Sequence, residues 1–290
     1  MTDLAAQPND AETRTVTVSI NGADVEVADG ATLLDACAVA GVSTPTLCYA
    51  ENLTPVNACR VCVVELENSR TLVPSCSRRA EDGMVVQTDS DRVRHSRKMV
   101  LEFLDSGVDL SQTTTLGDDT LAHWAVEYGA DASRYGPAAE RIDEEIKIQD
   151  SLYIRDYDKC VLCYKCVEAC GDDAQHTFAI AVSGRGFGAR ISTEFDVSLP
   201  DSACVYCGNC VAVCPTNALQ FKTEFDLRQA DSWHEEEQTI TRTVCSYCGV
   251  GCNLELHVQD NSIVKVTSPN DHSVTSGHLC IKGRFGWQYV

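Results

Sequence analysis

Apolar and polar residues alternate with a period of two over Thr15-Val16-Thr17-Val18-Ser19-Ile20, which predicts a strand with one buried face. Asn21-Gly22 follows, a pair that readily takes the two left-handed conformations of a tight hairpin, and Val25-Glu26-Val27 is the expected return strand. The period then lengthens. Leu33, Leu34, Ala36 and Ala40 fit a helix with Thr32 as its N-cap and Gly41 as its stop. Val61-Cys62-Val63-Val64-Glu65-Leu66 predicts another strand, and hairpin, helix and strand together suit a small β-grasp sheet. A second helix should start at Ser90 or Asp91, with Val93, Val100, Phe103 and Leu104 along its apolar stripe.

Beyond residue 150 the apolar pattern is weaker. His176-Thr177-Phe178-Ala179-Ile180-Ala181-Val182 and the glycines of Ser183-Gly184-Arg185-Gly186-Phe187-Gly188 predict a β-hairpin insertion; no lysine and helix start follow them, as a phosphate loop would require. Strands are expected around Leu254-Glu255-Leu256 and Ile263-Val264-Lys265-Val266. Asp226 to Glu237 is charged and poor in apolar residues, which predicts a linker, and residues 1–13 read as a disordered polar tail. The expected class is α+β. No run of eighteen apolar residues occurs, so no membrane span is expected.

Cysteine changes this picture most. Sixteen of the 17 cysteines fall into four sets: Cys48, Cys59, Cys62, Cys76; Cys160, Cys163, Cys166, Cys170; Cys204, Cys207, Cys210, Cys214; and Cys245, Cys248, Cys252, Cys280. Gaps as short as two residues let thiolates wrap an inorganic core, whereas disulfide frameworks have no reason to repeat them. Cys37 is left over, inside the first helix pattern, and reads as a packed core thiol. Thiols available to metal point to a reducing, cytoplasmic compartment. With 23 Lys plus Arg against 43 Asp plus Glu, a net charge of −20, nucleic acid is an unsuitable partner. The acidity reads first as a solvated surface and second as a face for a basic redox partner.

The second and third sets repeat gaps of two, two and three, the second run ending in Cys214-Pro215. This resembles the bacterial two-cluster ferredoxin, in which the fourth cysteine of each run ligates the other cluster. The resemblance implies one [4Fe–4S] cluster on Cys160, Cys163, Cys166 and Cys214, and another on Cys204, Cys207, Cys210 and Cys170. Gly171 stands where the family usually has proline. The first set, with gaps of ten, two and thirteen, resembles the [2Fe–2S] domains of hydrogenases, complex I large subunits and NAD-linked formate dehydrogenases. A zinc site of the same four ligands is the alternative.

The last set has gaps of two, three and twenty-seven, within Thr243-Val244-Cys245-Ser246-Tyr247-Cys248-Gly249-Val250-Gly251-Cys252 and Cys280-Ile281-Lys282-Gly283-Arg284-Phe285-Gly286-Trp287. It resembles the amino-terminal [4Fe–4S] domain of molybdopterin oxidoreductases, and its wording resembles cytosolic NAD-linked formate dehydrogenases. Gly-Arg-Gly-Phe at 184–187 strengthens that likeness. The resemblance implies that Lys282 is an electron bridge between cluster and pterin. It also implies a His–Cys cluster after the second helix, but the four ligand positions hold Ser106, Leu110, Thr113 and Asp119, which are no substitute for soft ligands. His123 nearby is a lone histidine and reads as solvated.

The expected organisation is therefore a tail over 1–13, a β-grasp [2Fe–2S] domain over 14–90 and a helical segment with a lost cluster site over 91–150. A ferredoxin domain over 151–225, a linker over 226–240 and the start of a molybdopterin-type domain over 241–290 complete it. The resemblance implies one [2Fe–2S] and three [4Fe–4S] clusters serving a formate dehydrogenase. Electrons would enter at the Cys245 set, leave by the Cys48 set and run between a Mo/W-bis-pterin catalytic polypeptide and a flavin partner that reduces NAD(P). The residues that bind formate and the catalytic metal in that family are not within the 290, so the chain alone is expected to lack turnover. The alternatives are an adapter of a hydrogenase or complex I-type NADH dehydrogenase, and a colourless zinc protein.

Overall fold

The computed structural model describes residues 14–109, 121–136, 141 and 143–289. It divides into two compact units, one of residues 14–44 and 62–96 and the other of residues 45–61 and the chain from 97 onward. Residues 45–61, inside the predicted 14–90 segment, thus pack with the second unit.

The first unit is a five-stranded sheet with a short helix. Strand β1 (Thr15–Ile20) pairs antiparallel with β2 (Ala23–Ala28) through the Asn21-Gly22 turn, where φ is +53° and +87°. Helix α1 (Leu33–Val39) follows, then β3 (Val63–Leu66), β4 (Val73–Pro74) and β5 (Val85–Gln87). The sheet order is β2-β1-β5-β3-β4, with β1 and β5 parallel. Thr32 and Asp35 form a capping box: Asp35 N–H donates to Thr32 Oγ1 at 3.2 Å and Thr32 N–H to Asp35 Oδ2 at 2.7 Å. Val16, Val18, Ile20, Leu33, Ala36, Val64 and Val86 make the core, and Cys37 is buried among them, as a packed thiol should be.

Helix α2 (Asp91–Ser106) starts where expected, with Ser90 Oγ accepting from Val93 N–H at 3.3 Å. Its buried face keeps Val93, Val100 and Leu104 of the predicted stripe and departs from it at Phe103. Val93, Arg97 and Leu101 lie inward while Phe103 is 57% exposed. Arg97 reads as polar yet is buried, because its guanidinium donates to Tyr128 Oη at 2.5 Å. In the second unit Leu101, Val108, and Leu121 and Trp124 of α3 (Leu121–Glu127) form one apolar cluster with Leu47, Cys48, Cys59, Val61 and Cys163.

The rest of this unit is built of short elements. They are β6 (Tyr153–Arg155), α4 (Lys165–Cys170), β7 (Ala181–Ser183), β8 (Arg190–Ser192), α5 (Asn209–Ala212), β9 (Leu219–Phe221) and α6 (Lys222–Gln229). β6 pairs with β9, and β7 with β8 as the inserted hairpin, its strands displaced from the predicted stretch toward residues 181–192. A meander of β10 (Thr239–Val244), β11 (Asn253–Gln259) and β12 (Ser262–Thr267) follows, then α7 (Ile281–Phe285).

The predicted linker over 226–240 is corrected. Its first residues complete α6 and its last two open β10. Arg228 in it is paired rather than merely solvated: it meets Glu224 at 2.6 Å and lies over the Trp233 ring at 5.0 Å, and Glu224 also takes Lys265 of β12 at 3.2 Å. Partners at i and i+4 let a charged sequence hold a helix.

Candidate metal centres

The two ferredoxin-type runs share one backbone design. Leu162 and Tyr164 have φ of +50° and +64°, and the corresponding Tyr206 and Gly208 have +55° and +70°. These left-handed pairs curl each loop so that successive thiols point inward, and Tyr164 and Gly208 then cap α4 and α5. A side chain at Gly208 would be strained, because φ is +70° and a Cβ would press on Arg284 and Phe285 at 3.1–3.2 Å.

Around these loops lie two separate cavities. One is lined by Cys160, Cys163, Cys166 and Cys214, with Tyr157 and Ile191 in its walls. The other is lined by Cys170, Cys204, Cys207 and Cys210, with Tyr153, Ile180 and Leu199. Each gathers three thiols from one run and the fourth from the other. Four soft donors around an apolar space fit an iron–sulfur core. Burial pushes the Cys160 thiol up to about 12 and Cys163 up to about 11, and holds Cys166 and Cys210 well above the ordinary range; the neighbouring thiols add to this. Metal binding must therefore expel protons that the site otherwise retains.

Hydrogen bonds to sulfur distinguish the two cavities. Cys170 Sγ accepts from Ala179 N–H at 3.3 Å and lies 3.4 Å from Thr177 Oγ1. Cys204 Sγ accepts from Tyr206 N–H at 3.4 Å and lies 2.9 Å from Tyr153 Oη. Around the other cavity, Cys214 Sγ and Thr216 Oγ1 are 4.0 Å apart. Beside Cys207 sits Arg284, 1% exposed, donating to the carbonyls of Cys207 and Val266 and to Asn209 Oδ1 at 3.1–3.4 Å. Burial lowers its guanidinium to about 10, still cationic at neutral pH. At Gly171 the Phe178 ring occupies the place a Cβ would need, at 3.0 Å, so this turn uses glycine for close packing.

Cys245, Cys248, Cys252 and Cys280 are also brought together. Burial raises the Cys252 thiol, and the charges of the other three raise it further. The first three sit on the turn from β10 to β11, where Cys245 N–H donates to the Cys252 carbonyl at 2.8 Å, and Cys280 is the N-cap residue of α7. Cys245 is buried, but Cys248 and Cys280 are exposed. Lys282 is exposed on α7 while Arg284, two residues on, is buried. At about 100° per residue the two point to nearly opposite sides of the helix. Neither Tyr153 nor Arg284 carried a sequence signal, since only the fold decides which polar residue meets sulfur.

The first cysteine set is divided between the units. Cys62 and Cys76 belong to the first, where the Cys62 carbonyl accepts from Ser75 Oγ at 2.8 Å. Cys48 and Cys59 belong to the second, where Cys59 N–H donates to Cys48 Sγ at 3.4 Å. A side-chain hydrogen bond from Cys59 holds the Cys48 thiol down at about 6, and the Cys59 thiol is raised in return. Cys48 is close enough to Cys163 for its charge to act there. Of the four positions of the lost His–Cys site, Ser106 donates from Oγ to the Phe103 carbonyl at 2.9 Å, and Leu110, Thr113 and Asp119 lie outside the described residues. His123 is exposed, edge-on to Trp124 at 4.9 Å.

A 2Fe-2S iron-sulfur cluster binding domain matches residues 13–91, a 4Fe-4S dicluster domain residues 159–218, and a molybdopterin oxidoreductase Fe4S4 domain residues 238–290. NADPH-Fe(3+) oxidoreductase subunit alpha of Geobacter sulfurreducens is 35% identical over 95% of this chain and 31% of its own. A NADH-quinone oxidoreductase subunit of Rhizobium meliloti is 32% identical over 95% of this chain and 31% of its own. A Staphylococcus haemolyticus protein provisionally named a formate dehydrogenase is 27% identical over 94% and 31%. A chain in the crystal structure of NAD+-reducing [NiFe]-hydrogenase matches with a TM-score of 0.61 and 27% identity, over 71% of this chain and 87% of that one. Fold, cysteine cavities and matched domains together define a modular iron–sulfur electron-transfer protein of the oxidoreductases. More narrowly, the chain is similar over 95% of its length to the Rhizobium NADH-quinone oxidoreductase subunit, and it also resembles hydrogenase chains and the provisionally named formate dehydrogenase. The chain spans about a third of the length of the curated relatives it matches. Among the described residues no helix is long and apolar enough to cross a membrane.

Proposed function

We propose that this chain is the electron-transfer region of a molybdenum- or tungsten-dependent formate dehydrogenase, linking a bis-pterin catalytic polypeptide to a flavin partner that reduces NAD(P) in the cytoplasm. The observation that carries this reading is the conjunction of a crossed pair of four-thiol cavities with a molybdopterin-type Fe4S4 domain over 238–290. The identity to a provisionally named formate dehydrogenase and the Gly-Arg-Gly-Phe stretch support formate as the substrate class.

In this reading Cys160, Cys163, Cys166 and Cys214 hold one [4Fe–4S] cluster, Cys170, Cys204, Cys207 and Cys210 a second, and Cys245, Cys248, Cys252 and Cys280 a third. Cys48, Cys59, Cys62 and Cys76 hold a [2Fe–2S] cluster. Bound clusters supply one-electron carriers. The chain's own residues provide soft ligands, exclude water from the two ferredoxin cavities and donate hydrogen bonds to sulfur. Lys282 is the cationic residue nearest in sequence to Cys280 and serves as the bridge toward the pterin, a role supported by its exposed place on α7 beside the cysteine that caps it.

The test is iron content and turnover on one preparation. Anaerobically loaded chain should carry about fourteen iron, from one two-iron and three four-iron centres. It should not reduce dye with formate until the catalytic polypeptide is added, and Lys282→Ala should then slow reduction without loss of iron. Colourless, iron-free protein that binds zinc would overturn the reading. A second reading, an adapter of an NAD(P)-reducing hydrogenase, is favoured by the TM-score of 0.61 to a chain of such an enzyme. Reconstitution with a hydrogenase large subunit instead of a pterin polypeptide would select it.

A further inference from the structure

The two ferredoxin-type sites share a fold but differ in what surrounds them, and this difference has a direction. In each run a backbone N–H two residues on reaches the first two thiols: Leu162 to Cys160 and Lys165 to Cys163, Tyr206 to Cys204 and Asn209 to Cys207. These contributions match and cancel in the comparison. What remains is on one side. The Tyr153 hydroxyl lies 2.9 Å from Cys204 Sγ, and against a thiolate ligand the O–H can only donate. Thr177 Oγ1 and Ala179 N–H reach Cys170 Sγ, whereas Cys214 Sγ has Thr216 Oγ1 at 4.0 Å.

Charge follows the same division. Arg284 is 1% exposed, and the three acceptors that it meets, two carbonyls and the Asn209 amide oxygen, are neutral, so its positive charge acts undiminished on the site of Cys207 and Cys210. The first site has two lysines nearby. Lys159 is buried but neutralised by Asp156 at 2.9 Å. Lys165 acts on Cys163 but is only half-buried, so solvent screens it. Reduction adds a negative charge to an already anionic core, and donors or unscreened cations stabilise that state.

We propose that Tyr153 and Arg284 set the reduction potential of the cluster held by Cys170, Cys204, Cys207 and Cys210, and make it the more easily reduced of the ferredoxin pair. This rests on the cluster assignment above. Packing fixes the Tyr153 hydroxyl in place, since the residue is 2% exposed on β6, with its ring 6.0 Å from Tyr206 and 6.2 Å from Phe285. Phe285 follows Arg284 on α7, so the helix capped by the last cysteine of the terminal site also delivers the cation and the ring that packs on Tyr153. Both residues are positioning and tuning groups.

The experiment is a potentiometric titration of the anaerobically loaded full chain, followed by electron paramagnetic resonance, with resonance Raman spectra in light and heavy water. Tyr153→Phe removes only the hydroxyl. It should lower the potential of the four-iron centre that Cys204→Ser eliminates, shifting its reduced-to-oxidised ratio at fixed poise about threefold to tenfold, or about 28–59 mV for one electron. The twin centre should not move. The heavy-water shift of iron–thiolate stretching should shrink in the same variant. Arg284→Gln should lower the same potential, and Arg284→Lys should restore most of it. An unchanged potential in iron-replete Tyr153→Phe, or a shift in the twin alone, overturns the inference and leaves the cluster assignment standing. A parent chain without four-iron signals overturns the assignment itself.

Discussion

The ferredoxin pair and the terminal cysteine set make the same kind of centre in opposite ways. In the pair, two repeated runs exchange their fourth cysteine; residues of β6 and β9 close the Cys204 cavity, and residues of β8 and β9 close the Cys160 cavity. In the terminal set, one hairpin turn and one helix cap supply all four thiols, and Cys248 and Cys280 remain exposed. Exchange makes each site depend on the other but seals both. A local set assembles from fewer parts and leaves sulfur within reach of solvent.

The sharpest way to break this comparison is Cys170→Ser. Cys170 lies in the first run but lines the second cavity, so the variant should lose the centre of Cys204, Cys207 and Cys210 and keep that of Cys160. Matching resonance spectra for Cys170→Ser and Cys204→Ser would bear this out, and a match to Cys160→Ser would refute the exchange. Next in size is Glu224→Gln, which leaves Arg228 and Lys265 without their shared carboxylate. Burial works against ionisation of Glu224, yet Lys265 and Arg228 outweigh it and hold the carboxyl below its ordinary range. Its loss should cost about 3 kcal/mol, read as a lower chemical-denaturation midpoint.

Exposure predicts a kinetic difference as well. An iron chelator under anaerobic conditions should strip the terminal centre on the order of tenfold faster than either ferredoxin centre, because access there needs little local opening. Equal rates would remove the distinction between sealed and open sites. The smallest effect concerns His257, which sits on β11 with Nε2 2.9 Å from Thr267 Oγ1. Burial, then Lys265, lowers it to about 4, against the opposing pull of Glu255 and Glu224. Since the unfolded chain binds this proton more readily, stability falls as pH drops from about 6.5 toward 4. Discounted for partial exposure, the loss is about 1 kcal/mol. Amide protection in β10–β12, corrected for the intrinsic pH dependence of exchange, should fall over that range and fall less in His257→Gln.

Legibility from sequence followed how local each signal was. The Asn21-Gly22 turn and the Thr32 cap are set by a few adjacent residues, and both formed where expected. The cysteine runs were visible for the same reason. The stripe of α2 held at Val93, Val100 and Leu104 and failed at Phe103, because hydropathy ranks Phe103 above Arg97 while the fold offers Arg97 a tyrosine hydroxyl. The region from Asp226 looked like a linker because its charges gave no hint of partners, and Lys265, a decisive one, comes 41 residues after Glu224. Tyr153 and Arg284 were invisible on the same ground, being 51 and 77 residues from the cysteines they approach.

The division of the first cysteine set has a consequence for how the protein is made. The first unit has all its residues once position 96 has been synthesised, so Cys62 and Cys76 can settle early. Cys48 and Cys59 must wait, because the neighbours that bury them, Leu101, Trp124 and Cys163, have not yet been made. At about 5–20 residues per second, the stretch from 96 to 163 takes on the order of 3–13 s. For that interval two nucleophilic thiols lie on a nascent chain with no core to shelter them. For the ligand set proposed here, insertion of the two-iron cluster is therefore a late event, following translation of the first ferredoxin run despite the early position of its cysteines.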